Sequence, residues 1–117
     1  MNELLLDTQQ SYYDYVVKVQ DGCQMIASSF QSSNLEQAFQ MIADFSEGLE
    51  WLVTVEQHMQ ANHYVINSHI QEVIERLTIL NGLLEKREIE AITYLFQNEI
   101  APLFASASEW TFKKVQM

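Results

Sequence analysis

Residues that break helices are scarce in this chain. Its 117 residues include one proline and three glycines. Proline interrupts a helix because its ring locks φ and it has no N–H to donate, and glycine supplies tight turns. With so few of either, the sequence predicts long helices joined by short turns, which leave little loop in which to build a catalytic site.

Cysteine and long apolar runs are also scarce. The single cysteine, Cys23, has no second cysteine with which to form an internal disulfide. It lies between apolar neighbours on a predicted helix, so we expect a buried and unreactive thiol. No apolar run approaches the roughly 20 residues that cross a bilayer, and no charged segment followed by an apolar one opens the chain. We therefore expect no membrane span, no signal peptide and a cytoplasmic location.

Basic residues are few relative to acidic ones. The chain has 16 acidic and 6 basic residues, for a formal net charge of −10. Nucleic acids and anionic membranes require clustered lysine and arginine, so we expect the protein to bind neither. Residues 1–58 hold nine of the acids and one base, Lys18. A basic partner would be steered to this half, although solubility alone also accounts for an acidic surface.

Apolar residues recur three or four positions apart in four stretches, which predicts four amphipathic helices. The first stretch covers 3–30 and stops at a polar segment, 31–34. Ser33 followed by Glu36 forms a capping box, which predicts that the second helix starts there. The second helix is expected to run to a polar turn at 60–63.

The third apolar stripe extends from Ile66 to Leu84 and the fourth from Ile89 to Trp110. The pattern continues past Gly82, so we place the end of helix three at 85–87, with the glycine inside it at a cost of about 1 kcal/mol relative to alanine. An end at 81–82 is the alternative. Short connections predict one all-α domain, an antiparallel up-down-up-down four-helix bundle. A three-helix arrangement or exchange of helices between two chains is also possible.

The few helix breakers lie inside predicted helices. Pro102 would clash with the carbonyl of Asn98, so it predicts a kinked last helix whose end wraps over the bundle. The bend would alternatively open a groove beside Glu99. Glu99 falls in an apolar run, and we expect it to pair with a polar or basic neighbour. Close approach of a second helix would be permitted by the glycines, Gly22, Gly48 and Gly82.

Few residues are arranged for catalysis or metal binding. Nucleophile-elbow, phosphate-loop and dinucleotide motifs are absent, and so is the Glu-x-x-His pair of di-iron bundles. His69 and Glu72 share a helix face, with Glu75 three residues further on, whereas His58 and His63 do not. We expect a solvated His69–Glu72 pair, no metal, no cofactor and no enzyme activity. The alternative is a metal-binding or hydrolytic bundle that uses these two residues and nearby carboxylates.

Apolar residues outnumber the core positions of so small a bundle. Helix one carries a second apolar row, Leu6, Tyr13 and Val17. Trp51 and Trp110 are suitable anchors for a partner. We therefore predict a protein–protein interaction module, an adaptor or chaperone-like bundle that presents an apolar groove to a partner or to a second copy as a homodimer.

Two segments resemble small uncharacterised all-helical proteins of Gram-positive bacteria. Ser46–Leu52 is similar to their Glu-Gly-Leu-x-Trp-Leu motif. Leu83–Trp110 is similar to their Leu-Leu … Tyr-Glu-x-x-Pro-Leu … Trp pattern, but it departs at Asn98, where an aromatic is typical, and at Arg87-Glu88, where an aspartate is typical. This resemblance implies a helical fold without an assigned activity. In size and helix count the chain also resembles flagellar export chaperones, which hold an unfolded segment in a groove.

Overall fold

The structure is a computed structural model that describes residues 3–115. Within them it is 81% helical, and its last helix is bent by 24°. The predicted all-α bundle with a kinked last helix is confirmed. Its four helices and the turns that continue the last one are α1 (Glu3–Gln31), α2 (Leu35–Ala61), α3 (Ile70–Glu85), α4 (Ile89–Tyr94), a π-helical segment (Leu95–Ile100) and 3₁₀ turns (Ala101–Phe104 and Ala107–Glu109).

Two short strands were not predicted. β1 (Tyr64–Ile66) pairs with β2 (Phe112–Lys114) in an antiparallel arrangement. Ile66 therefore lies in a strand, and Trp110 follows the last 3₁₀ turn, so both were wrongly placed on helices. Three residues are too few to show the alternation by which a strand is recognised in a sequence.

The first three helices each end at a residue with left-handed backbone. Ser33, His63 and Arg87 have φ of 61°, 70° and 53°. The N–H groups of Ser33 and Arg87, and those of the residues that follow them, donate hydrogen bonds to carbonyls of the last helical turn at 2.8–3.2 Å. This pattern is the Schellman motif. The prediction of a capping box at Ser33 was wrong, because Ser33 belongs to the turn that ends α1 and Asn34 is the N-cap of α2. The preferred end of helix three is confirmed, since α3 stops at Glu85.

The core lies along the inner faces of the helices. α1 packs against α2 on one side and against α4 with its π and 3₁₀ continuation on the other, while α3 packs on α4 and the π segment. Tyr15 and Val53 are half-buried, whereas Val16 and Val55 are buried. The molecule measures 50 × 21 × 20 Å. The 29 residues of α1 span roughly 44 Å of its length.

The bend of the last helix lies where helical geometry changes. The Ala101 N–H bonds the carbonyl of Phe96 five residues back, which closes the π segment, and Pro102 then opens a 3₁₀ turn. A wide turn followed by a residue without an N–H redirects the helix axis. Beside it, Arg76 Nε lies 3.0 Å from Glu99 Oε1, so the expected pairing of Glu99 with a basic neighbour is confirmed. The Nε–H does not point at the oxygen, and the contact is therefore electrostatic.

Candidate partner-binding groove

A mainly apolar groove of about 200 Å³, hereafter the α1–α2 groove, runs between the first two helices. Of its eight lining residues, five have apolar side chains, one is a glycine, and the two charged ones are exposed. The lining residues are Tyr15, Lys18, Val19, Gly22 and Ile26 from α1 and Met41, Asp44 and Phe45 from α2.

The floor of the groove is part of the bundle core. Val19, Ile26 and Phe45 are buried. The ring of Phe45 meets the ring of Phe96 in the π segment edge-to-face, with 5.4 Å between centroids. Because these side chains pack from below, the floor exists before any partner arrives, as in most binding sites.

Gly22 keeps the groove open. Among the described residues, and apart from the adjacent part of its own helix, no atom lies within 4 Å of the point at which its Cβ would stand, and the same holds for Gly82 on α3. Each of these two glycines would permit the close approach of a second helix, but none approaches there. At Gly22 the missing side chain leaves space that any larger residue would fill.

Gly48 has the opposite role, because it allows a close approach. A Cβ at this position would overlap the hydroxyl of Tyr15, so the tyrosine ring lies directly on the α2 backbone. Close approach at Gly48 is confirmed. Tyr15 forms one end of the groove and meets Trp51 edge-to-face at 5.9 Å. Burial, followed by the nearby Cys23 and Asp44, raises the pKa of Tyr15, which favours the neutral phenol.

Exposed apolar side chains lie near both ends of the groove. Trp51, beside Tyr15, is 38% exposed, and Met25, one helical turn beyond Gly22, is 56% exposed. From Tyr15 to Ile26 the groove follows α1 for about 16 Å, or three helical turns. It is long enough to hold a short helix.

Two of the predicted partner-binding residues make hydrogen bonds within the fold. The hydroxyl of Tyr13 accepts the N–H of Phe112 in β2 at 2.9 Å. Trp110 is only 3% exposed, and its indole N–H donates to Ser106 Oγ at 3.1 Å. Trp110 therefore exposes very little surface to a partner, and we do not propose it as an anchor.

The other three predicted residues are exposed but separate. Val17 meets Tyr13 and Trp110 around a shallow depression of about 250 Å³. Leu6 borders another depression where α1 begins and α2 ends. Trp51 lies beside the α1–α2 groove. The sequence analysis did not predict the groove, and the one signal in the sequence that could have located it is Gly22 within the apolar pattern of α1.

A polar network joins α1, α2 and the segment before α3. Tyr12, which is fully buried, donates to Glu56 Oε2 at 2.5 Å, and Ser68 donates to the same oxygen at 2.7 Å. Burial, followed by the hydrogen bond to Glu56, raises the pKa of Tyr12 and keeps it protonated as a donor. These hydrogen bonds connect α1, α2 and the segment before α3.

The expected pairing of His69 with Glu72 is confirmed, with Nδ1 2.8 Å from Oε2 and both side chains partly exposed. The hydrogen bond from His69 lowers the pKa of Glu72. Between residues 3 and 115, no group of three histidine, cysteine, aspartate or glutamate side chains is placed to hold a metal ion. In that part of the chain, His69 and Glu72 therefore lie together without a third such side chain beside them.

The comparisons with known proteins give one match. A family model described as a domain of unknown function, DUF8042, matches residues 7–109. No curated protein and no solved structure matches the chain. In the described part of the chain, no helix is long and apolar enough to cross a membrane. The match includes every residue of the α1–α2 groove, and the chain belongs to the DUF8042 family.

Proposed function

We propose that this protein is a non-enzymatic interaction module, an adaptor or chaperone-like bundle that binds an apolar helix of a partner protein in the α1–α2 groove. The observation that carries the proposal is the open, preformed groove between α1 and α2. An amphipathic helix laid in an apolar groove is a recurrent mode of protein recognition.

The energetics of the groove suit such a partner. Fully burying one leucine or valine side chain contributes about 1.5–3 kcal/mol, so two or three such anchors offset much of the free-energy cost of association. Trp51 stays in the proposal as an aromatic anchor at the rim, and Met25 adds an adaptable apolar surface at the other end. Leu6 and Val17 are exposed and are available for further contacts.

The proposal also covers the location of the protein and the ligands that its charge disfavours. The protein works in the cytoplasm, where the buried Cys23 stays reduced, and its net charge of −10 disfavours nucleic acid and anionic membranes. The resemblance to flagellar export chaperones in size and helix count agrees with a role in holding a helical or unfolded segment of another protein.

The test uses Gly22→Leu, which fills the groove. Because nothing lies near the position of the missing Cβ, the variant is expected to fold normally. The probe is a stapled amphipathic peptide of about twelve residues with one leucine stripe, followed by chemical shifts in 15N-labelled protein. We expect shifts at the groove residues in the wild type and at least tenfold weaker binding by Gly22→Leu.

Gly82→Leu is the matched control. Gly82 is also helical and also faces open space, but it lies on α3 outside the groove, so binding is expected to be unchanged. Equal binding by wild type and Gly22→Leu would remove the groove as the site. Absence of binding by the wild type would contradict the proposed function.

A further inference from the structure

The rims of the α1–α2 groove are acidic. Asp44 lies on the α2 rim and Lys18 on the α1 rim. Residues three or four apart on a helix are surface neighbours, which places Asp14 and Asp21 on either side of Lys18 and Glu47 beyond Asp44. All five are exposed. Lys18 on the α1 rim therefore lies between two acids, Asp44 on the α2 rim lies beside a third, and the acids outnumber the base four to one.

These charges are not neutralised within the described chain. Between residues 3 and 115, the ion pairs lie on α3 and its contacts, and none involves the four rim carboxylates. Asp14 and Asp44 accept hydrogen bonds from Gln10 and Gln40 at 2.9 and 3.2 Å. Neutral amides leave the negative charge uncompensated, so it remains available to a partner.

We infer that the occupant of the groove is a helix of about three turns with lysine or arginine on both flanks of its apolar stripe. The inference rests on the proposed function and adds the chemistry of the partner. The length follows from the distance between Tyr15 and Ile26, about 16 Å. The basic flanks follow from the two acidic rims, because complementary charge steers encounter and like charge rejects the wrong partner.

A second copy of this chain fits the groove less well. A symmetric dimer brings the same surface of each molecule together. Two α1–α2 grooves facing each other would oppose four carboxylates to four more, with a single lysine on each side. The charge pattern therefore selects a basic partner over self-association.

Three stapled peptides test the inference. They share one leucine stripe and a length of about twelve residues, and they carry lysine, glutamine or glutamate on both flanks. At low salt we expect the lysine peptide to bind about tenfold more tightly than the glutamine peptide, and the glutamate peptide to bind most weakly. Raising the salt to about 0.5 M should reduce these differences, because exposed charges are screened.

A charge-neutral rim separates local complementarity from net charge. The rim variant combines Asp14→Asn, Asp21→Asn, Asp44→Asn and Glu47→Gln. Its affinity for the lysine peptide should fall about tenfold, with little change for the glutamine peptide. The control makes the same change in net charge on exposed residues of other elements, with the substitutions Glu75→Gln, Glu85→Gln, Glu90→Gln and Glu109→Gln.

The outcomes separate the two levels of the proposal. Equal binding of all three peptides to the wild type would overturn the basic partner and leave the interaction module intact. An equal loss of affinity in the control variant would also overturn it. If no peptide bound, the proposed function would fall and the inference with it. If the wild type formed a dimer and Gly22→Leu dissociated it, the occupant of the groove would be a second copy of this chain and not a basic helix of another protein.

Discussion

Single glycines decide the shape of the candidate site. Gly22 on α1 leaves space, whereas Gly48 on α2 removes a side chain that would collide with Tyr15. The two residues act on facing helices, one keeping the groove open and the other placing the tyrosine that forms its end. Their effects depend on what lies opposite, since glycine itself is unfavourable in both helices.

Replacing Gly48 with alanine tests the close approach. Alanine favours helix by about 0.5–1 kcal/mol over glycine, and Gly82→Ala, in open space, should raise the free energy of unfolding by that amount. Gly48→Ala gains the same helix propensity but displaces Tyr15, so we expect a net loss of about 1–2 kcal/mol. Urea unfolding measures both variants. If both variants were stabilised equally, Tyr15 would be able to move away from position 48 with no loss of free energy.

At the level of elements, the α1–α2 hairpin is held to the C-terminal segment by side chains at a few points. Tyr13 accepts the N–H of Phe112 in β2, and its ring packs on that phenylalanine at 5.9 Å. A strand of three residues has few ladder bonds of its own, so these contacts from α1 add to the pairing with β1 in placing β2.

Tyr13→Phe is expected to loosen β2 without changing the groove. The substitution keeps the ring but leaves the Phe112 N–H without its acceptor, which should lower the free energy of unfolding by about 1 kcal/mol. Hydrogen exchange at residues 112–114 should accelerate, and leucine-stripe peptides should bind as before. Tyr94→Phe, at a residue that is 60% exposed, is the control and should change neither property. If Tyr13→Phe lost peptide binding, Tyr13 would contribute to the partner-binding surface and not only to the fold.

Across the whole molecule, a bundle only 20–21 Å thick still buries groups that ionise in alkali. Tyr12 and Cys23 are both fully buried. Burial raises the pKa of Cys23 from 9.0 to about 12, and it also raises the pKa of Tyr12 above its usual 10.0. The native protein therefore holds these protons at pH values at which the unfolded chain releases them.

Stability is expected to fall as the pH rises above about 9. A group whose pKa is higher in the folded state binds more protons there, so the free energy of unfolding declines with pH, by at most about 1.4 kcal/mol per pH unit for each group. Urea unfolding at pH 7, 9, 10 and 11 measures the decline. Cys23→Ala should give a shallower decline between pH 9 and 11. A wild-type stability that stays constant to pH 11 would contradict the burial of both protons.

The sequence by itself determined the helices and most of their ends. Apolar spacing and the scarcity of glycine and proline predict four helices, the end of α3 at Glu85 and the bend at Pro102. These features are local, because they depend on residues within a turn or two of each other. Ser33 was misassigned because a helix end in the left-handed conformation usually carries glycine.

Only the tertiary structure decided the pairing of β1 with β2 and the position of the α1–α2 groove. The strands lie more than 40 residues apart and are too short to leave a pattern. The groove is the space left when two helix surfaces meet, so it depends on which residue lies opposite Gly22 and which lies opposite Gly48. Periodicity identifies the face of a helix that is buried, but not how completely the facing helix fills it.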